Sequence, residues 1–312
     1  MKIFKILGKI FLLFVTSIFL IVLFVFAFFN VAKFAIYSEY YQIETNVCEN
    51  PGLNDNFVCQ GIAVSEENDC ILVSGYMSDK TNSRIYVTDF SSNSYYVKLT
   101  KNGKPYKGHV GGIATTKEKV FLCGSGCFYI LSLDEILNSK KGDEIELVDY
   151  FEIEGSASFI FSNEECIIVG EFHDGGQYVT EHPYETGDGT YYAIMRQYNI
   201  NDLTLERVYS IRNKVQGACL TPEGKIVLST SYGLASSEYF VYDVDDAKKS
   251  DKVFEGAPVY YLEKYEKKVT GPAMGEDVDC YDGGIITMTE SASNKYIFGK
   301  FFFANKIVKL KF

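Results

Sequence analysis

Polar residues suited to acid–base chemistry stand at equivalent places in a repeated unit of this chain. Gln60, Gln216 and Glu276 each begin a copy of the unit, and His109 lies two residues before the copy that begins at Gly111. Side chains two residues apart in a strand point to one side, so we expect His109 and Gly111 to face the same way. We predict catalytic roles for Glu276 and His109 and ligand-binding roles for Gln60 and Gln216. The alternative is that these side chains only hydrogen-bond to neighbouring strands and ordered water.

A second candidate site lies in a polar insertion, residues 171–188. It holds five acidic residues and two of the three histidines, His173 and His182, which we count as candidate ligand-binding residues. Carboxylate and imidazole groups bind metals or line polar pockets. The alternative is a solvated acidic loop, because the two histidines lack the spacing of a helical metal pair.

A third candidate is the aromatic segment at residues 291–303, from which we take Lys295 as a ligand-binding residue. The segment contains five Phe or Tyr residues. It is interpreted as a lid, a membrane-facing patch or an ordinary short helix packed on the fold. If its aromatic side chains were exposed, they would mark an interface.

The elements that must position these residues are strands. The repeated unit, a small-residue start followed by two strand-like runs around a polar turn, begins at Gln60, Gly111, Ala157, Gln216 and Glu276, at intervals of 46 to 60 residues. Two further strand-like runs follow most copies, as SRIYVTDF and SYYVKLT follow the first, and as YFVYDV and PVYYLEKY follow the fourth. Four strands at this period are typical of a propeller blade. The sequence predicts an all-β protein, a β-propeller of five blades, with six blades as the alternative.

The two ends of the chain supply the missing strand. The last copy has one convincing run after it, NKIVKLKF, while residues 41–45 form an orphan strand near the N-terminus. Joining them in one blade closes the ring and removes its open edges. A β-sandwich, the other all-β candidate, does not predict repeated starts at this period.

Two turns carry a resemblance to known propellers. The chain has no Trp, which makes the WD40 and kelch repeats poor fits. The turns at residues 221–225 (TPEGK) and 281–284 (YDGG) resemble those of the gluconolactonase-like, strictosidine-synthase-like and NHL-repeat propellers. The resemblance extends over most of residues 58–312.

This resemblance implies chemistry at the channel. Gluconolactonase-like propellers bind a divalent cation through acidic and amide side chains at strand starts, where this chain has Gln60, Gln216 and Glu276. Only one of the three is a carboxylate, whereas a hard dication takes several charged oxygen ligands, so the cofactor stays unknown, with a divalent cation as the candidate. Strictosidine-synthase-like enzymes use a glutamate base at a late strand start, a position similar to that of Glu276.

The N-terminus predicts a membrane anchor. Residues 10–29 carry no charge, and Lys2, Lys5 and Lys9 precede them, so the positive-inside rule places the N-terminus in the cytoplasm. We expect a cytoplasmic tail and signal-anchor helix at residues 1–36 and an extracytoplasmic propeller domain at residues 37–312. A cleaved signal peptide is the first alternative, and a buried core helix the second.

The net charge restricts the class of partner, and the cysteine content bears on the disulfides. The formal net charge is −11, and residues 37–312 are more acidic still, which argues against nucleic acid. Eight cysteines in an exported domain allow up to four disulfides, and Cys123 and Cys127 are the pair best placed to close locally. The alternative is that most are small buried hydrophobes.

These observations favour a membrane-anchored extracytoplasmic propeller that binds an unidentified protein, glycan or small molecule. The competing hypothesis is a lactonase-like or esterase-like hydrolase with its active site at the channel mouth. The chain contains no Gly-x-Ser-x-Gly, no phosphate-binding Gly-x-x-x-x-Gly-Lys and no His-Glu-x-x-His. The sequence therefore leaves open whether the protein is an enzyme.

Overall fold

The N-terminus is one long apolar helix that leads directly onto the sheet domain. A computed structural model describes residues 2–296 and 304–312. Helix α1 (Lys2–Ile36) is followed by α2 (Ser38–Ile43), and the backbone bonds from Tyr37 N to Lys33 O and from Tyr41 N to Tyr37 O carry the helical pattern across the junction. The window Phe4–Ile36 has a mean hydropathy of 3.1 and none of it is buried, so among the described helices α1 alone is long and apolar enough to cross a membrane.

The strands form five antiparallel sheets, the blades of a β-propeller, which we number along the chain. From the centre outward, blade 1 contains β2 (Phe57–Ser65), β3 (Cys70–Met77), β4 (Arg84–Asp89) and β5 (Ser94–Lys101), and blade 2 contains β7 (Ile113–Thr115), β8 (Lys119–Cys123), β9 (Cys127–Ser132) and β11 (Tyr150–Glu152). Blade 3 contains β12 (Phe159–Ser162), β13 (Cys166–Gly170), β16 (Ala193–Asn199) and β17 (Leu205–Ile211), and blade 4 contains β18 (Val215–Leu220), β19 (Lys225–Thr230), β20 (Ser237–Asp243) and β23 (Lys267–Gly271). Blade 5 contains β24 (Gly275–Tyr281), β25 (Gly284–Thr289), β26 (Lys306–Leu310) and β1 (Glu44–Glu49).

The ring closes as the sequence predicts. The N-terminal strand β1 pairs antiparallel with β26 and becomes the outermost strand of blade 5, slightly later in the chain than residues 41–45. The innermost strands contact one another in a complete circle, β2 to β7, β12, β18, β24 and back to β2. The five-bladed propeller with an N-terminal closing strand is thus confirmed.

Two connections leave their own blade and extend the preceding one. After β9 the chain forms α3 (Leu133–Asn138) and β10 (Glu144–Glu146), and β10 pairs parallel with β5 of blade 1. After β20 it forms the hairpin β21 (Lys248–Phe254) and β22 (Ala257–Tyr261), and β22 pairs parallel with β17 of blade 3. The run PVYYLEKY is therefore a strand of blade 3, and β23 is the outer strand of blade 4. The remaining strands are two short hairpin elements in connections, β6 (Lys104–Pro105) and the pair β14 (Tyr184–Thr186) and β15 (Gly189–Tyr191).

The centre of the ring is packed backbone against backbone. A Cβ atom on Gly61 would lie 2.6 Å from the Ile113 nitrogen of the next blade, and one on Gly112 would lie 2.6 Å from the Ile160 nitrogen. Real Cβ contacts are never so short, so glycine is required where these strands approach. The small residues that begin the repeats therefore let five strands meet at a narrow axis.

The predicted turn at 281–284 has the geometry expected from its residues. Tyr281 pairs with Gly284, and Asp282 and Gly283 between them have φ angles of 46° and 68°. Asp-Gly is a preferred pair for such two-residue hairpin turns because both central residues need positive φ. This turn sets the register between β24 and β25.

The eight cysteines are free thiols in the structure, and seven of them are buried. Cys123 and Cys127 end β8 and begin β9 but form no disulfide. Burial raises the pKa of the Cys59, Cys123 and Cys219 thiols above the ordinary value. These cysteines act as small core residues, in keeping with the second interpretation of their pattern.

Candidate functional site

One face of the propeller collects the polar residues predicted from the repeats. On this face, which we call the mouth face, first strands begin and second strands end, as the pairing of Gly275 with Thr289 and of Val215 with Thr230 shows. The register shifts between Cys59 and Gly61, between Val215 and Gly217, and between Gly275 and Val278. The bulged residues are Gln60, Gln216, and Glu276 with Asp277. A bulge turns a side chain out of the regular alternation, which explains how these residues leave the sheet surface.

Gln60 joins three groups from three parts of the chain. Its Nε2 donates to the main-chain oxygen of Cys59 at 2.7 Å and to Glu290 Oε2 at 2.9 Å, while its Oε1 contacts His109 Nε2. Because both partners of the amide nitrogen are acceptors, the oxygen must face His109, and His109 Nε2 must carry the proton. Its other nitrogen, Nδ1, is then the basic one.

Tyr76, Lys295 and Tyr296 complete this group, which we call the channel-mouth cluster. Tyr296 donates its hydroxyl to Glu290 Oε2 at 3.1 Å, and Tyr76 and Tyr296 oxygens are 3.4 Å apart. Lys295 Nζ donates to the Tyr76 hydroxyl, and the ring of Tyr76 lies 4.7 Å from that of His109. The part of segment 291–303 that forms this contact is its beginning; residues 297–303 lie outside the described residues.

Burial raises the pKa of two carboxyl groups at the channel mouth, Glu290 of the cluster and Glu276 next to it. Burial and the charges of Glu290 and Asp277 raise the pKa of Glu276 well above its ordinary value, and Glu276 is only 3% exposed. Burial raises the pKa of Glu290 to about 7, against the opposing effects of the Tyr296 hydrogen bond and the Lys295 charge. A group that titrates near neutral pH is able both to donate and to accept a proton.

His109 is less suited to act as a base. Partial desolvation and the Lys295 cation lower its pKa to about 4, although the residue is exposed to solvent. The imidazole is therefore neutral at neutral pH. A general base works best when its pKa is near the operating pH, so Glu290 fits that role better than His109.

Asp277 and Asp279, the neighbours of Glu276, hold blades together. Asp277 accepts from the Ile62 nitrogen at 3.3 Å and from the Val278 nitrogen at 3.0 Å, and Asp279 accepts from the Val64 nitrogen at 2.7 Å. Burial raises the pKa of both, that of Asp279 to about 7. These carboxyls bridge β24 to β2 across the closing joint of the ring and face no cavity of the mouth.

The other predicted residues lie elsewhere on the mouth face. Gln216 donates to the Ser231 main-chain oxygen at 3.5 Å. His173 is buried, its ring stacks on Tyr192 with 4.7 Å between centroids, and its Nδ1 accepts from the Thr180 nitrogen at 3.0 Å. Both side chains thus have local partners in the fold, and neither is among the contacts of the channel-mouth cluster.

His182 belongs to a second cluster, built around a buried arginine. Arg196 is fully buried and donates from Nη2 to Glu171 Oε1 at 2.7 Å and to the main-chain oxygen of Glu154. His182 Nε2 lies 3.5 Å from the same Glu171 oxygen. Burial acts to raise the pKa of Glu171, but the His182 hydrogen bond and the Arg196 charge outweigh it and hold that pKa below its ordinary value. We call these residues the Arg196 cluster.

Two cavities open beside these clusters. The larger, about 410 Å³, adjoins the channel-mouth cluster, and we call it the lysine cleft; it is lined by Tyr76, Met77, Ser78, Lys80, Thr81, Lys107 and Lys295. The other, about 260 Å³, lies between the 171–192 insertion and the β21–β22 hairpin and includes His182, Tyr184, Phe254 and Tyr261 in its lining. The lysine cleft has no acidic residue in its lining.

Glu290, Tyr76 and Arg196 are functional candidates that sequence reasoning missed. Glu290 directly follows β25, and Tyr76 lies near the end of β3. The ends of second strands reach the same face as the starts of first strands, so their polar residues were a usable signal. Arg196 offered no such signal in the sequence, because a single arginine inside an alternating strand is typical of a surface position.

The residues present do not form a recognisable metal centre. In residues 2–296 and 304–312, no group of three or more His, Cys, Asp or Glu side chains is placed to hold a metal ion. Gln60 and Gln216 are engaged in other hydrogen bonds, and Glu276 favours its protonated form. A hard dication needs several charged oxygen ligands, so this donor set does not fit one.

Comparison with known proteins assigns no family to this chain. No protein-family model and no curated protein matches this chain. Similar solved structures include the WD40 β-propeller domain of Doa1, with 11% identity, a TM-score of 0.41 and coverage of 86% of this chain and 96% of that one. Another is a PQQ-bound aldose sugar dehydrogenase of Streptomyces coelicolor, with 12% identity, a TM-score of 0.45 and coverage of 78% and 76%. The chain also matches Kuenenia stuttgartiensis hydrazine synthase at 8% identity and a TM-score of 0.40, where 74% of this chain spans 56% of that one. At such identities and TM-scores these similarities carry no argument about function, and the chain is a β-propeller by its own strand pairing.

Proposed function

We propose that this protein is a membrane-anchored propeller that binds an anionic ligand in the lysine cleft. The observation that carries the proposal is the lining of that cleft: Lys80, Lys107 and Lys295 share it without an acidic residue, on a chain whose net charge is −11. Like charges gathered around a cavity repel each other, and an anion in the cavity relieves that repulsion.

The rest of the lining suggests the class of anion. Met77 and the ring of Tyr76 add apolar surface. The Ser78 and Thr81 hydroxyls already donate to the Asn56 main-chain oxygen at 3.1 Å and to Asp79 Oδ1 at 2.7 Å, so the lysine ammonium groups are the donors that remain for an anion. A cavity of about 410 Å³ has the size of a small-molecule site. A phosphorylated or carboxylated sugar, free or as the end of a glycan, has both the charge and the hydroxyls to fit it.

The anchor gives the proposed location. α1 is long enough to span a bilayer, and three lysines at its N-terminal end favour a cytoplasmic N-terminus and an extracytoplasmic propeller. Cleavage of α1 would release the domain, so the mass of the mature protein tests this part of the proposal. An intact N-terminus in the membrane fraction is expected.

The test is calorimetric titration of the full chain in detergent with inorganic phosphate, glucuronate and neutral glucose. We expect binding of one or both anions and none of glucose. Lys295→Gln should weaken anion binding about fivefold, which corresponds to about 1 kcal/mol for a partly exposed charge contact. Lys264→Gln, the same charge change in an exposed residue outside the cleft, is the control. Equal binding of glucose, or equal effects of the two variants, would refute the proposal.

A hydrolase remains a second candidate because of Glu290. Its pKa of about 7, its hydrogen bond to Tyr296 and the protonated Glu276 beside it form a proton donor and acceptor at the edge of the lysine cleft. The two carboxyl groups would act as acid and base on an ester or lactone held by the lysines. Screening p-nitrophenyl acetate and gluconolactone with the wild type, Glu290→Gln and His109→Asn tests it. Turnover that survives Glu290→Gln would exclude this mechanism.

A further inference from the structure

The mouth face of the propeller is placed next to the membrane by its connection to α1. The ring of Tyr37, the first residue after α1, is buried, and its hydroxyl lies 3.2 Å from Ser236 Oγ. Ser236 immediately precedes β20, which begins on the mouth face where Ser237 pairs with Gly271, the last residue of β23. One helical turn further on, Tyr40 packs against Tyr239, with ring centroids 6.0 Å apart. The helix therefore meets the propeller at the mouth-face rim of blade 4.

The lysines that flank the uncharged part of α1 indicate where the bilayer lies along the helix. Lys9 and Lys33 are the cations that bracket the uncharged part of the helix. At 1.5 Å per residue they lie about 36 Å apart along the helix. This distance falls between the thickness of the hydrocarbon core, about 30 Å, and that of the bilayer with its headgroups, about 40–45 Å. Both ammonium groups then reach headgroup layers. Lys33 is one turn, about 6 Å, from Tyr37.

Exposed apolar side chains cluster on the mouth face beside this junction. The loop from β19 to β20 carries Tyr232 and Leu234, which are 47% and 60% exposed, and the blade 3 insertion carries Tyr178 and Val179, which are 46% and 64% exposed. The ring of Phe172 links the two loops, 5.6 Å from Tyr178 and 6.2 Å from Tyr232. We call these four exposed residues the blade 3–4 patch.

The chemistry of the patch matches a headgroup layer. Tyrosine is enriched at membrane interfaces, where its ring sits among apolar groups and its hydroxyl stays hydrated. Lys214 Nζ lies 5.3 Å from the Tyr232 ring centre, and the nearby Asp174 carboxylate raises the pKa of the same tyrosine, so charges of both signs lie next to the patch. The patch therefore suits neutral lipid headgroups as well as anionic ones.

We propose that the blade 3–4 patch rests on the headgroup layer of the membrane that α1 spans. The occupant of this surface is the lipid surface itself, because Tyr232 and Leu234 lie in the loop that ends at Ser236, where the helix joins the propeller through Tyr37, one helical turn after Lys33. This inference rests on the membrane anchoring in the proposed function. It makes the mouth face, with its lysine cleft, the membrane-proximal face of the propeller.

The absence of tryptophan from the chain allows a direct test. Single-tryptophan variants of the full chain are reconstituted in phosphatidylcholine vesicles with and without bromine on the upper acyl chain, which quenches tryptophan fluorescence on contact. Tyr232→Trp and Leu234→Trp report on the patch. Glu223→Trp, in the turn at the far end of β19 and about 20 Å away over six strand residues, is the control on the same blade. Phe14→Trp, 64% exposed in α1, reports on the anchor.

We expect strong quenching of the tryptophan at position 14, clear quenching at 232 or 234, and none at 223. Quenching at 14 with positions 232 and 234 no more quenched than 223 would overturn the inference and leave the anchoring intact. Quenching at 223 equal to that at 232 would also overturn it. An unquenched tryptophan at position 14 would refute the anchoring, and the inference with it.

Discussion

Glu171 and Glu290 occupy equivalent positions in two blades, and yet their pKa values are shifted in opposite directions. Each is the first residue after the second strand of its blade, β13 in blade 3 and β25 in blade 5, and each begins a long insertion on the mouth face. Arg196, 2.7 Å from Glu171, and His182 hold the pKa of Glu171 below its ordinary value. Burial raises the pKa of Glu290 to about 7 because its hydrogen bonds to Tyr296 and Gln60 and the charge of Lys295 do not offset it. The groups around each glutamate, and not its position in the repeat, decide the direction of its pKa shift.

The difference separates a structural site from a candidate binding site. The Arg196 cluster balances the Glu171 carboxylate internally, so that charge needs no ligand, although Arg196 Nε and Nη1 are buried without a hydrogen-bond partner among the described residues. In the channel-mouth cluster the nearest cation, Lys295, is exposed and hydrogen-bonds to Tyr76, and it also lines the lysine cleft. Its charge is therefore available to an incoming anion.

The largest effect is expected when the internal pair of blade 3 is broken. Arg196→Met leaves the buried Glu171 carboxylate without its cation, which typically costs 3–5 kcal/mol, or a fall of roughly 10 °C in Tm for a domain of this size. Thermal unfolding of the full chain, followed by circular dichroism, measures it. Arg196→Met combined with Glu171→Gln should recover much of the loss, because the uncompensated charge is gone. A single variant as stable as wild type would show that the pair is not buried as described.

A smaller effect, opposite in sign for the two glutamates, is expected from their amide variants. The native Glu290 binds its proton more tightly than the unfolded chain does, so its contribution to stability falls as pH rises from about 4.5 to about 7. Glu171 behaves conversely: its ionised form stabilises the fold above the ordinary pKa, and that contribution is lost as pH falls through the lowered value.

Melting temperatures at pH 5 and pH 8 compare the two. At pH 8, Glu290→Gln should be more stable than wild type and Glu171→Gln less stable. At pH 5 the advantage of Glu290→Gln should shrink. Asp277 and Asp279 keep their surroundings in both variants, so their own titration cancels in the differences, whereas Glu290→Gln also removes a charge that raises the pKa of Glu276. Shifts of the same sign for both variants at pH 8 would contradict the contrast.

The smallest effect is expected from the cation at the rim. Lys295 lowers the pKa of Glu290, so Lys295→Gln should move the titration of Glu290 to higher pH. The protonated carboxyl band that disappears in Glu290→Gln, followed by infrared difference spectroscopy against pH, reports this titration. Lys264→Gln should leave it in place. A shift to lower pH, or none, would mean that Lys295 is too well screened by solvent to act on the cluster.

Much of the fold was readable from the sequence because its repeats obey a simple geometry. Gln60, Gly111, Ala157, Gln216 and Glu276 lie in the first strand of a blade or just before it, as the period predicts. The closing strand followed from an unpaired run at each end. The partner of PVYYLEKY did not follow, because a strand's residues show that it is a strand but not which edge it joins, and the outer edge of blade 3 was open to it.

The site was readable only in part. Gln60, His109 and Lys295 meet in one cluster because strand starts share a face, and Glu276 lies beside them. Glu290 became important only through its environment, because burial raises its pKa and burial cannot be counted along a sequence. His173 and His182 looked like ligands as residue types, but Thr180 already donates to Nδ1 of His173, and Glu171 lies 3.5 Å from Nε2 of His182.

The most direct test of the proposed binding site is a crystal structure of the full chain grown with selenate, a divalent oxyanion with an anomalous signal. Binding in the lysine cleft predicts an anomalous peak within hydrogen-bond distance of Lys295 and at least one of Lys80 and Lys107, and its absence from Lys295→Gln crystals. A cleft without a peak while selenate binds elsewhere on the chain would contradict the proposal.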